Sequence, residues 1–199
     1  MENHCQTIIN LARTHGIIRP RDLNILGLPR VTLSRLVRRG ELVLVGRGLY
    51  AIPDRTVSEH GTLAEVARRH PQGIVCLLSA LQFHDLTTHT PFEVWLAIPN
   101  KARAPRMAYP PLRIVRFSGD ALTEGVQEHL VDCVPVRVTS VAKTVADCFK
   151  YRNKIGLDVA LEALQASWKV KRFTMDELWH AAAVCRVANV MRPYMESLT

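Results

Sequence analysis

Residues 28–53, LPRVTLSRLVRRGELVLVGRGLYAIP, carry two different periodicities on either side of one glycine. Pro29 suits a first helical position, where its missing N–H costs nothing, and Gly40 suits the left-handed turn just past a helix end. An advance of about 100° per residue from Val31 puts Leu33, Leu36 and Val37 on one stripe. Thr32, Ser34, Arg35, Arg38 and Arg39 then spread over the opposite side, and Arg30 falls near the edge of the stripe. After Gly40 come two short apolar runs, LVLV and LYAI, separated by Gly46-Arg47-Gly48, a hairpin-like turn with an arginine at its tip. A helix with an arginine-rich outer face followed by a β-ribbon predicts a winged helix-turn-helix, with Arg47 on the wing.

Working outward, Ile8, Ile9, Leu11 and Ala12 mark a first helix, and Pro20 opens a second one carrying Leu23, Ile25 and Leu26 before Gly27. Short helices cannot bury their stripes alone. The three are expected to pack together and hold the third as a rod for a DNA groove. Thr32, Ser34 and Arg35, in the amino-terminal half of that helix, are the candidates for base readout. Arg38, Arg39 and Arg47 are the candidates for phosphate contacts, with Arg30 beside them.

The whole chain has 199 residues and a net charge of +8, and its first 56 residues hold nine arginines, no lysine and four acids, a net of +5. A positive excess concentrated at one end fits a polyanionic partner such as double-stranded DNA. The length suits two domains, expected at 1–56 and 57–199, with the polar stretch 54–59 as the boundary. Cys5, Cys76, Cys133, Cys148 and Cys185 form an odd set without a C-x-x-C pair, so reduced structural thiols are expected. No apolar run approaches a membrane span, no secretory leader is visible, and a cytoplasmic protein is expected.

In the second part, residues 62–70 read as a helix and residues 74–84 as a second, buried one. Residues 93–98, 112–117 and 134–138, rich in β-branched and aromatic residues, read as strands. From Ser140 the pattern is helical. Val141, Val145, Cys148 and Phe149 share one stripe, and Leu157, Ala160, Leu161 and Leu164 another. Thr174 and Glu177 stand at capping-box spacing ahead of a third helix carrying Leu178, Ala182, Cys185 and Val190. Strands followed by helices predict an α+β domain: a small sheet with carboxy-terminal helices over one face.

Two motifs together resemble a known family. The first is residues 19–53, with Leu33 and Leu36, the Arg38-Arg39-Gly40 exit and the Gly-Arg-Gly-Leu-Tyr ribbon. The second is VPVRVTSVAKTVADCFKYR, residues 134–152, in which Thr139-Ser140 leads to Lys143, Asp147 and Phe149. This combination resembles the AbiEi-type antitoxins of bacterial type IV toxin–antitoxin systems. The second motif is similar to that family's TSxxRTxxDxF element, with Lys143 in place of the commoner arginine, a point charge instead of a planar fork. The resemblance implies a repressor of its own operon, acting at repeat sites in its promoter. It also implies a second domain that neutralises a nucleotidyltransferase-type toxin, with or without direct binding; Lys143 and Asp147 are the residues carried over in that domain.

Other readings of single residues are weaker. Asp147 has no second carboxylate or histidine at helical spacing, and a salt bridge with Lys143, four residues earlier, explains it. His84 and His89 lack metal-ligand spacing on one helical face, and neither a metal nor a cofactor is expected. Trp95, Trp168 and Trp179 read as core or partly buried packing residues. No P-loop, G-x-G-x-x-G or G-x-S-x-G element is present, so the chain reads as a non-enzyme. The alternatives are a DNA-targeted, metal-dependent nuclease, for which Glu93 and Asp120 are the acids on offer, and a protein–protein adaptor built on a winged helix.

Overall fold

The computed structural model describes residues 2–88 and 90–198. Its architecture is α+β, and contacts between residues divide it into two units.

The first unit begins with helix α1 (Glu2–His15), followed by α2 (Pro20–Ile25) and α3 (Val31–Arg38). The ribbon consists of β1 (Val43–Gly46) and β2 (Leu49–Ala51). Pro20 is the first residue of α2, with Arg19 as N-cap. Pro29, in contrast, lies ahead of α3: Arg30 is the N-cap, and the Pro29 carbonyl accepts from the Thr32 N–H at 3.1 Å. The first-position role expected for Pro29 therefore belongs to Pro20. Ile8, Ala12, Ile18, Leu23, Leu33, Leu36 and Leu42 form the core of this unit. Each buried leucine or isoleucine stabilises it by about 1.5–3 kcal/mol. Ile25 and Leu26, expected to share the α2 stripe, are exposed. A helix of six residues makes fewer than two turns, and only Leu23 reaches the core.

The first unit extends beyond residue 56. It continues to Pro71, including α4 (Gly61–Arg69), and takes in His129–Val136. Polar contacts account for the extension. Arg68 Nη2 lies 2.7 Å from Asp22 Oδ2, and the Ser58 N–H donates to Asp132 Oδ1 at 3.2 Å.

In the second unit the stretch expected as one helix over 74–84 is a short strand, β3 (Ile74–Val75), followed by α5 (Leu77–Phe83). β3 is the middle strand of a five-stranded sheet of order β5-β4-β3-β7-β6. It pairs antiparallel with β4 (Val94–Pro99) and parallel with β7 (Val134–Thr139), so both its residues are buried. That burial explains the continuous apolar run that imitates a helix in sequence. β4 runs parallel to β5 (Leu112–Phe117) in a register pairing Val94 with Leu112. A short helix, α6 (Asp120–Thr123), and strand β6 (Val126–Val131) precede β7.

The helical part comprises α7 (Val141–Lys150), α8 (Arg152–Ile155), α9 (Leu157–Lys169), α10 (Met175–Val184) and α11 (Ala188–Glu196). The Ser140 side chain caps α7 by accepting from the Lys143 N–H, and the Thr174/Glu177 capping box opens α10. α7 is buried from Val141 to Phe149 and packs against α5, α9 and α10. The expected third helix is divided: Cys185 ends α10, Arg186 has a φ of 59°, and Val190 lies on α11. Trp95 is buried, and Trp168 and Trp179 pack partly buried against the core. The five cysteines are free thiols. Among the described residues no helix is long and apolar enough to cross a membrane.

Candidate nucleic-acid interface

The stop at the end of α3 is built by its backbone. The Gly40 N–H donates to the Val37 carbonyl and the Glu41 N–H to the Leu36 carbonyl, each at 3.0 Å, with Gly40 at a φ of 72°. These are the two hydrogen bonds of a Schellman motif. The same pair closes α2 around Gly27, where the Gly27 N–H donates to Asn24 O and the Leu28 N–H to Leu23 O. Both helices therefore end abruptly on glycines, and α3 is held as a short, well-bounded rod.

Its inward face is wider than the stripe read from the sequence. Leu33 and Leu36 are buried, and so is Thr32 at 6% exposure, which corrects the expectation of a surface threonine. The physical reason is angular: Thr32 stands about 40° from Leu36 around the helix, inside the arc that packs inward. Thr32 also lines a groove of about 870 Å³ between α1 and α3, together with Cys5, Ile9, Val31, Arg35 and Arg39.

Ser34, Arg35, Arg38 and Arg39 are exposed. Arg39 lies 3.8 Å from Glu41, an ion pair loose enough to leave its charge available to a partner. Arg30, also exposed, donates from Nε to Asn24 Oδ1 at 2.9 Å, which fixes its guanidinium beside the α2–α3 turn. Val31, 55% exposed, shares the outward side with Ser34 and Arg35.

The wing follows directly. β1 and β2 pair antiparallel, Val43 with Ala51 and Leu44 with Tyr50, and a bulge precedes the Gly46–Leu49 pair. Gly48, at a φ of 70°, closes the turn that carries exposed Arg47. A third strand segment supports the ribbon, because Ile18 and Tyr50 exchange backbone hydrogen bonds at 2.8 and 2.9 Å. Arg69 Nη2 donates to the Arg47 carbonyl at 2.8 Å and steadies the tip from α4. Sequence reasoning missed this support, although the Arg68-Arg69 pair at the end of α4 was its visible signal.

Arg68 has a structural task. With Arg19 it surrounds the Asp22 carboxylate, which lies 3.0 Å from Arg19 Nη2 and 2.7 Å from Arg68 Nη2 and accepts the Arg19 N–H at 2.7 Å. Burial pushes the Asp22 carboxyl up, but the Arg19 hydrogen bonds and the charges of Arg68 and Arg19 outweigh it. The carboxyl sits below its ordinary value. This cluster ties α2 to α4.

The two residues carried over from the second motif lie inside their unit. Lys143 and Asp147 are 1% and 0% exposed and form an ion pair on α7, with Lys143 Nζ also 4.5 Å from the centre of the Phe117 ring. His84 is buried, its Nε2 2.7 Å from the Thr139 carbonyl oxygen, while His89 lies outside the described residues. Among the described residues no three His, Cys, Asp or Glu side chains gather as a metal site. Glu93 lies 3.8 Å from Arg113, and Asp120 is the first residue of α6.

Residues 6–53 match the model of a family described as transcriptional regulator, AbiEi antitoxin. The comparison with curated proteins gives no match. Among solved structures, the crystal structure of RV2827C protein from Mycobacterium tuberculosis superposes with a TM-score of 0.54 at 12% identity, covering 98% of this chain and 80% of that one. At that identity the likeness is one of fold. The family match begins in α1 and ends just after β2, so it takes in the three helices and the wing. Residues 6–53 are thus similar to the AbiEi antitoxin transcriptional regulators, a likeness confined to the three helices and the wing.

Proposed function

We propose that the chain is a transcriptional repressor that binds double-stranded DNA at its own promoter and serves as the antitoxin of a type IV toxin–antitoxin system. The observation that carries this reading is the outward face of α3. Ser34, Arg35 and Arg38 are exposed on a rod closed at Gly40, with Arg47 exposed on the adjoining wing. In this arrangement α3 enters the major groove, Ser34 and Arg35 meet base edges, and Arg30, Arg38, Arg39 and Arg47 meet phosphates. Buried Thr32 is withdrawn from base readout and supports the helix from within.

The second unit, in this reading, carries the neutralisation of a nucleotidyltransferase-type toxin. Lys143 and Asp147 contribute by holding α7 in place, because neither side chain reaches the surface. The test is a reporter driven by the chain's own upstream region, run beside co-expression with a toxin of that class. Repression and restored growth are the expected results. A reporter indifferent to the intact chain contradicts the repressor role, and unrelieved toxicity contradicts the antitoxin role.

A further inference from the structure

Val31 is an apolar residue on the outward side of α3. It is the first residue of α3 and 55% exposed, although the helix has an apolar face available for burial. Counting along the helix, Val31, Ser34, Arg35 and Arg38 stand at i, i+3, i+4 and i+7, the spacing that places side chains on one face. All four are exposed. The valine thus occupies the first turn of the face that the proposed function assigns to the major groove.

At 55% exposure, on the rim of the groove it shares with Ile9 and Thr32, Val31 adds little to the core, and a β-branched residue has no helix-forming advantage over a polar one there. The apolar feature that a major groove offers is the C5-methyl group of thymine, which distinguishes T·A from the other base pairs. We propose that Val31 is a specificity-determining residue that reads a thymine methyl. Position follows from geometry. Val31 stands one helical turn before Arg35, about 5.4 Å along the axis, while base pairs repeat about every 3.4 Å. The thymine it reads lies within about two base steps of the base read by Arg35. Ile25 and Leu26, also exposed, lie before α3 and outside this face.

This inference rests on the DNA-binding reading, and its test separates the two. The probe is a duplex obtained by in vitro selection with the full chain, with each thymine in turn replaced by deoxyuridine, which removes only the methyl group. The wild-type chain is expected to lose about fourfold in affinity at one position, the worth of one buried methyl. Val31→Ala, a change at an exposed site, is expected to bind the parent duplex more weakly and to show no further loss on the uracil duplex. Val31→Thr, which keeps one γ-methyl, should retain part of the preference. The sensitive position should fall within about two steps of the base at which Arg35→Ala loses discrimination. Specific binding with the same uracil sensitivity in wild type and Val31→Ala, or with none at any position, overturns the role of Val31 alone. Failure to select any preferred duplex overturns the DNA reading together with it.

Discussion

Lys143 Nζ lies 2.8 and 2.7 Å from the two carboxylate oxygens of Asp147, four residues further along α7, and both side chains are buried. Cys185 Sγ donates to Asp147 Oδ1 at 3.2 Å, so the carboxylate is tied to a residue at the end of α10 as well. Burial pushes the Asp147 carboxyl up from its ordinary value against the pull of Lys143, and pushes the Cys185 thiol up to about 12. The pair therefore stands inside α7, tied to the end of α10 through Cys185, while carrying a large desolvation cost. Breaking it from one side, with Lys143→Met or Asp147→Asn, should destabilise the fold by about 3–5 kcal/mol in urea unfolding. The double change Lys143→Met with Asp147→Leu should recover most of that loss. Single variants as stable as wild type contradict the assignment.

Asp22 contributes to the pH dependence of the first unit at acid pH. Its folded-state value is depressed, so its contribution is complete above the unfolded value of about 3.9 and disappears as pH falls through the folded value. Asp22→Asn should lower stability near neutral pH by roughly 1–2 kcal/mol, a discounted figure because the cluster is partly open to solvent. It should also flatten the acid limb of the melting profile. Parallel profiles for the variant and the wild type would speak against the Arg19–Asp22–Arg68 cluster as the link between α2 and α4.

Gly40 is needed for its backbone. A side chain there would meet open space, with nothing within 4 Å, yet the φ of 72° is unfavourable for an L-residue. Gly40→Ala should cost about 1–2 kcal/mol through strain alone. Thermal unfolding measures this, and an unchanged melting temperature would show that the exit of α3 tolerates another conformation.

These positions also show how far the sequence could be read. The first unit is legible because its helices end on glycines: Gly27 and Gly40 both mark left-handed turns and both can be seen as stops. The second unit has such glycines after α6 and α8, Gly125 and Gly156, but uses other residues for the same turn after its longer helices. Asp85, Lys171 and Arg186 have φ values of 57°, 52° and 59° just past α5, α9 and α10. Nothing in those residue types announces a stop, and the break between α10 and α11 was therefore invisible. β6 escaped notice because it lies at the sheet edge with Gln127, Glu128 and Leu130 exposed, so it lacks the buried alternation that marks a strand. β3 was hidden for the opposite reason, since a fully buried strand has no polar face.

Within the candidate site, angle counting separated Leu33 and Leu36 from the arginines but misplaced Thr32, because the width of the buried arc depends on what α3 packs against. Thr32→Val should therefore leave sequence preference unchanged in a binding assay, whereas Ser34→Ala should alter it. A change of base preference on Thr32→Val would return that residue to the reading face.

The central claim is that α3 and the wing divide base reading and phosphate binding between Arg35 and Arg47. The most direct measurement is a salt titration of binding by wild type, Arg35→Ala and Arg47→Ala, on the chain's own upstream region and on a scrambled duplex of equal length. The wild type should prefer the upstream region, with log K falling against log salt by about 0.9 per phosphate neutralised. Arg35→Ala should lose about 1–3 kcal/mol on that region and much less on the scrambled duplex. Arg47→Ala should weaken both alike and reduce the salt slope by about 1. Equal affinity for both duplexes, or equal losses for both variants on both, would contradict the account.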